Sequence, residues 1–379
     1  MRPILILCIS LLFLSCKNEE KNEVDSTSQE IGESLKIENA HGFTISKYNG
    51  YKILTITDPW PNAEKSFKYL LVEDESKVPS TIEFDKKINI PIKRIVLTST
   101  THIPSLEALD ETEALIGFPG LDYISSETTR ALIAENKIVE LGKNEAINTE
   151  ILITLEPDLV IGFAIDGNNK TYNTIEKSGI PVIFNGDWTE ESPMGKAEWI
   201  KFFGALFDKS EEAEEIYDDI AKNYKEAKQL AQSVDETPLV IAGSMYKDSW
   251  FVPYGNSWQA QFIKDANAAY IYKDTEGSGS KALSFESVLN DAQNADFWVA
   301  PGQFQSYEQL YETSQHYKQF KAVQKKKVFT YSNTMGATGG VLYYELAPNR
   351  PDLVLKDLIS IFHPELLKDY KPTFFKPLD

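Results

Sequence analysis

Sulfur and imidazole are scarce in this chain, whose 379 residues include two cysteines and four histidines. Both cysteines, Cys8 and Cys16, fall near the N-terminus, so the remainder has no residue for a disulfide, a thiolate nucleophile or a zinc-thiolate cluster. His41, His102, His316 and His363 have no metal-ligand spacing among themselves. No His-Glu-x-x-His motif or Gly-x-Ser-x-Gly elbow occurs, and Gly277-Ser-Gly-Ser280 lacks the lysine and helix of a phosphate loop. Nothing specific therefore supports hydrolysis. Positive charge is also in deficit: 38 Lys and Arg against 57 Asp and Glu give a net charge of −19. That argues against nucleic acid, whose phosphates need cations to displace counterions, and against binding anionic lipid by charge alone. No apolar run is long enough for a permanent membrane span, Ile4–Leu14 included.

That short run reads instead as the apolar segment of a secretory leader, with Arg2 before it and the small Ser15 at its end. A Cys directly after such a boundary resembles a bacterial lipoprotein processing site. The resemblance implies a leader over residues 1–15 and lipid on Cys16; an ordinary leader with an incidental Cys is the alternative. Residues 16–34 are charged and poor in large apolar side chains, as expected of a disordered tether. The expected location is the cell envelope, lipid-anchored on the periplasmic face of a membrane, with the cell surface as the alternative.

The fold expected beyond the tether is α/β. Residues 35–90 contain alternating runs around Asn49-Gly50, a strong hairpin signal. They begin an N-terminal lobe, residues 35–193, in which short apolar runs alternate with helical segments, the pattern of a parallel sheet. Linking helices are expected over 194–234, and the alternation resumes in a C-terminal lobe, 235–379. Between the lobes, Ser210–Ser233 carries apolar residues at three-four spacing, with glutamates in its first turns and lysines in its later ones. This spacing predicts one long helix, with Ser210 as a plausible N-cap. The fold expected is two Rossmann-like lobes joined by one long rigid helix, with a ligand cleft between them.

Thr149–Gly162 and Ser284–Ala300 repeat one plan: a short helix with Glu near its start, then Asp, then an apolar strand. Together with YGNSWQAQFIKDANAAYIYKD (254–274), LSFESVL (283–289) and RPDLVLKDLISIFHPEL (350–366), these segments resemble the substrate-binding proteins of bacterial ABC importers for iron-siderophores, haem and cobalamin. The likeness spans roughly residues 92–366. It implies a monomeric binding protein without cofactor or catalysis, and a small-molecule metal-chelate as ligand. It also implies delivery to an ABC permease through one glutamate on each lobe, by motif Glu150 and Glu286. Helix-dipole complementation is the plainer role for each.

Ligands bind beyond the carboxyl ends of parallel strands. The expected contacts are therefore His102, with Thr101; Phe118 and Tyr123; Phe163; Trp188, with Asp187; Tyr246, Trp250 and Tyr254; and Tyr343, Tyr344 and Arg350. Gln303 and Asn333 are further candidates. His102 is equally readable as a structural residue, and Arg350 as a partner for an Asp. With no evident cationic cluster, a ferric siderophore of low charge leads, followed by cobalamin or another corrinoid and then haem. A chelatase-like enzyme and a surface scaffold are the alternatives of other classes.

Overall fold

The computed structural model describes residues 32–164, 166–167 and 169–379. The leader, Cys16 and the tether through residue 31 lie outside the described residues. Phe43–Tyr48 and Tyr51–Ile56 form the expected antiparallel hairpin, closed at Gly50 with φ of 83°. Phe67–Val72 extends it, and Lys86–Asn89 adds a parallel strand. Glu33–Ser34 also pairs, opposite Lys47 and Ser46, so the sheet begins within the stretch read as tether.

Buried carboxylates attach this sheet to the linking helices. Glu198 accepts from the backbone amides of Glu38, Asn39 and Ala40 at 2.6–3.1 Å and pairs with Lys201 at 3.0 Å. Glu190 accepts from His41 N, Gly42 N and Trp199 Nε1. The linking segment itself is two helices, Pro193–Glu198 and Ile200–Leu206, which meet at Trp199.

Each lobe is built on a sheet whose strands are apolar on both faces because helices cover both. The N-terminal sheet is wholly parallel, in the order Val182–Phe184, Leu159–Gly162, Ile95–Leu97, Leu115–Phe118, Val139–Glu140. The C-terminal order is Ala269–Tyr270, Leu239–Ala242, Phe297–Val299, Val328–Thr330, Lys376–Pro377, with the last strand antiparallel. The lobes are alike without being copies. Two later strands flank each side of the first strand in the N-terminal lobe; one and three do so in the C-terminal lobe. In both, the repeated Glu-helix-strand unit pairs directly with the first strand, where the direction of strand addition reverses.

The long helix spans Ser210–Ala231, about 33 Å at the standard rise. Its first half puts Ala213, Tyr217 and Ile220 into the N-terminal core, and its second half puts Tyr224, Ala227 and Ala231 into the C-terminal core. One stripe thus serves two lobes. The expected cap is corrected: Lys209 holds the N-cap position without a side-chain bond, and the Ser210 hydroxyl is buried without a partner. The aromatic segment 244–258, from which Tyr246, Trp250 and Tyr254 were expected to reach a ligand, is largely strand. Ser244–Tyr246 and Ser249–Pro253 form a hairpin, and Ser280–Leu283 completes a three-stranded antiparallel sheet. Among the described residues, no helix is long and apolar enough to cross a membrane.

Candidate functional site

At the reversal in the N-terminal sheet, the loops leaving Ile95–Leu97 and Leu159–Gly162 diverge, and the Thr98 side chain holds them in place. Its hydroxyl donates to Ile161 O at 3.1 Å and accepts from Phe163 N at 2.8 Å. Tyr172 reinforces the turn by donating to Phe163 O at 3.0 Å. The loop after Leu115–Phe118 is shaped by Gly120, whose φ of 82° is a left-handed conformation that glycine adopts without strain. The Glu140 carboxylate accepts from Gly120 N and Leu121 N, both at 2.8 Å, and so sets the short turn carrying Tyr123. Asn144 donates to Thr98 O at 2.9 Å and draws the hairpin after Glu140 toward the same opening.

These loops and Gly340, Val341 and Tyr344 of the C-terminal lobe line a cavity of about 550 Å³, within the range of small-molecule sites. Phe118, Tyr123, Phe163 and Tyr344 line it, beside Thr98, Ser99 and Thr100. Tyr123 is 73% exposed and Tyr344 49%, so both rings are open to a ligand. Trp188 sits behind Phe163, with ring centroids 5.5 Å apart. The charged side chains in the lining are Lys143 and Glu145, one of each sign.

The remaining sequence candidates lie elsewhere. His102 is fully buried, its ring against Phe203 and its Nε2 3.8 Å from Asp187 Oδ1; the loop has turned it into the lobe interior, away from the cavity. Asp187 is buried with it, its carboxyl lowered despite desolvation by the neighbouring His102, Lys196 and Thr101. Trp250 is fully buried among Trp298, Phe320, Tyr317 and Phe285, because the hairpin directs alternate side chains inward. Tyr343 stacks on Tyr331 at 4.3 Å in the C-terminal core. Trp250 and Tyr343 are thus packing residues. The Arg350 guanidinium is engaged by Asp352, with bonds of 2.9 and 2.8 Å, and faces a different depression beside the long helix. Tyr246 is exposed beside Lys247 and Phe251, and Tyr254 packs near Gly277; neither lines the cavity. Asn333 donates to Gln305 O, and Gln303 is exposed outside the lining.

Sequence reading missed Lys143, Asn144 and Glu145. They follow the strand Val139–Glu140, so the rule that loops beyond strand ends face the ligand could have found them. Glu150 and Glu286 are both exposed, each the second residue of its helix, Thr149–Thr154 and Phe285–Ala292. Asn148 and Ser284 cap those helices, each accepting a backbone bond at 3.1 Å. Among the described residues no group of three or more His, Cys, Asp or Glu could hold a metal ion.

A family model described as periplasmic binding protein matches residues 95–334. An uncharacterized lipoprotein of Methanocaldococcus jannaschii is 28% identical over 351 residues, covering 88% of this chain and 81% of the relative. A possible iron-binding (periplasmic solute-binding) protein from Staphylococcus epidermidis shares the fold, with a TM-score of 0.57 and 18% identity over 72% of this chain and 100% of that one. A periplasmic heme binding protein from Pseudomonas aeruginosa does likewise, with a TM-score of 0.56 and 16% identity over 76% and 98% of the two chains.

Proposed function

Because the chain belongs to the periplasmic binding protein family, a family of solute-binding proteins rather than enzymes, we propose that it captures a metal-chelate, a ferric siderophore first, and delivers it to an ABC permease. The observation that carries this reading is the cavity between the lobes, walled by Phe118, Tyr123, Phe163 and Tyr344. Aromatic walls, with the two tyrosines exposed and a few hydroxyls beside them, suit a bulky, largely apolar chelate. Lys143 and Glu145 give the lining no net charge, which favours a neutral complex such as a ferric tris-hydroxamate over a highly anionic ferric catecholate. Cobalamin and haem are the other cargoes of this reading.

Glu150 and Glu286 are the proposed docking points, one per lobe, at matching places in the repeated unit. Lipid on Cys16 is the proposed anchor. It agrees with the lipoprotein name of the archaeal relative and with an envelope location on the periplasmic face.

Trp188, packed behind Phe163, supplies an optical report of occupancy. The test is tryptophan fluorescence of the protein titrated with ferric hydroxamates, ferric catecholates, cyanocobalamin and haem, corrected for ligand absorbance. Saturable quenching by the hydroxamates is expected. Saturation by cobalamin or haem alone would reassign the cargo, and silence across the panel would contradict the chelate reading.

A further inference from the structure

Beside the cavity, the lobes are joined a second time, independently of the long helix. The C-terminal half of this clasp is the segment 336–345, and its N-terminal half is the loop 122–126. The two backbones approach so closely that a Cβ on Gly340 would lie 2.3 Å from Tyr123 O, and one on Gly336 2.5 Å from Ser125 Cα. Thr338 Oγ1 donates to Asp122 O at 2.8 Å. Glu345, which is buried, reaches across and accepts from two successive amides, Ser125 N at 2.7 Å and Ser126 N at 2.9 Å.

A second carboxylate converges on the same turn. Glu107, on helix Ile103–Ala108, accepts from the Ser126 hydroxyl and from Thr129 Oγ1, the latter at 2.8 Å. Both carboxylates therefore meet the first turn of helix Glu127–Ala134. The other titratable and charged groups nearby are already engaged. His102, on the turn Thr100–His102, faces Phe203 and Asp187; Arg350 is held by Asp352; and Tyr343 and Tyr344 lie on the same helix as Glu345. Asp122 of the clasp loop and Glu127 of the following helix are exposed, and Arg130 of that helix donates to Leu121 O at 2.7 Å.

We propose that this clasp is proton-linked: closing the lobes beside the cavity takes up a proton on Glu345, so acidification tightens the clasp and alkaline conditions loosen it. Burial, together with the like charge of Glu107, pushes the Glu345 carboxyl from 4.5 up to about 7, against the opposing pull of the two amides. Once the clasp opens, Glu345 is solvated and returns toward its ordinary value. The closed state then holds a proton that the open state releases between those two values. Stabilisation by protonation is fully present below the lower value and is lost as pH rises through the upper one. A gap of that size corresponds to a change of roughly a few hundredfold in the closing equilibrium.

The test is hydrogen–deuterium exchange of the 121–130 segment in the intact protein, with wild type and Glu345→Gln compared at each pH so that the intrinsic chemical rate cancels. Glutamine keeps one acceptor oxygen and sets an NH2 against the second serine amide, so the variant is expected to be less protected than protonated wild type, but by an amount that does not vary with pH. The ratio of wild-type to Glu345→Gln exchange is expected to rise on the order of a hundredfold between about pH 5 and about pH 8. Glu107→Gln, which removes the like charge, should move the midpoint to lower pH, and Glu345→Ala should exchange rapidly at every pH. Parallel behaviour of wild type and Glu345→Gln across the range would overturn the proton linkage. Full protection in Glu345→Ala would overturn the clasp itself. No ligand is needed, so the outcome is separate from that of the cargo reading.

Discussion

Trp250 lies with its ring centroid 5.0 Å from that of Trp298 and 5.5 Å from that of Phe320, wholly enclosed. Trp250→Ala is expected to cost about 3–5 kcal/mol, read as a lower denaturant midpoint, while the folded fraction keeps its ligand affinity. The opposite pairing is expected of Tyr123→Ala and Tyr344→Ala, whose rings are open to the cavity. Tyr123→Ala should stay within about 0.5 kcal/mol of wild type. Tyr344→Ala also loses a hydrogen bond to the buried Tyr331 hydroxyl and should cost about 1–2 kcal/mol. Each should weaken binding about tenfold in a titration. The sequence marks all three residues as aromatic and near strand ends, but not which of them face inward. For Trp250 the missing cue is the turn, because Lys247-Asp248 lacks the Asn-Gly signature that announces Tyr48–Tyr51. For His102 it is the partner, since nothing local shows that Phe203 will cover it, whereas the reading of Arg350 as a partner for an Asp is met by Asp352, two residues on.

At the scale of elements, the attachment of the sheet built on the Asn49-Gly50 hairpin depends on Glu198. Removing its carboxylate leaves the buried Lys201 without its counter-charge, with only Lys36 O and the Tyr217 ring beside it, and the Glu38–Ala40 amides without an acceptor. Glu198→Ala is expected to destabilise by about 3–5 kcal/mol and to expose residues 35–90 to limited proteolysis; an unchanged digest would show that the sheet is held by other contacts. The long helix was the most legible element, because its buried stripe repeats over 22 residues without Gly or Pro. Its cap was not legible, since Ser210 lies inside the first turn and Lys209 just outside it. Most strands of the two lobe sheets were legible as short apolar runs, but the two-residue strands Ala269–Tyr270 and Lys376–Pro377 were not. The order of the strands was not legible, because parallel pairing is decided by crossovers that leave no mark in the runs themselves.

At the scale of the whole molecule, the repeated unit is the feature that sequence and structure share most directly. It puts Glu150 and Glu286 at the second residue of equivalent helices, one per lobe. Glu150→Ala combined with Glu286→Ala is expected to abolish uptake in cells while leaving solution affinity intact. Uptake at the wild-type rate would remove both from the permease contact. The cleft as a place was legible from strand ends and the two-lobed plan. Its lining was only partly so, because Lys143, Glu145 and the clasp residues are brought together by tertiary contacts between distant segments. The clasp also means that the long helix is not the sole restraint on lobe motion.

The central claim is that a chelate lies between the lobes on the exposed tyrosines. It is tested most directly by equilibrium dialysis of a radiolabelled ferric hydroxamate against wild type and the Tyr123→Ala, Tyr344→Ala double variant. Saturable binding to wild type and a loss on the order of a hundredfold in the folded double variant are expected, about tenfold from each ring. Equal binding to both proteins would place the ligand elsewhere and contradict the account.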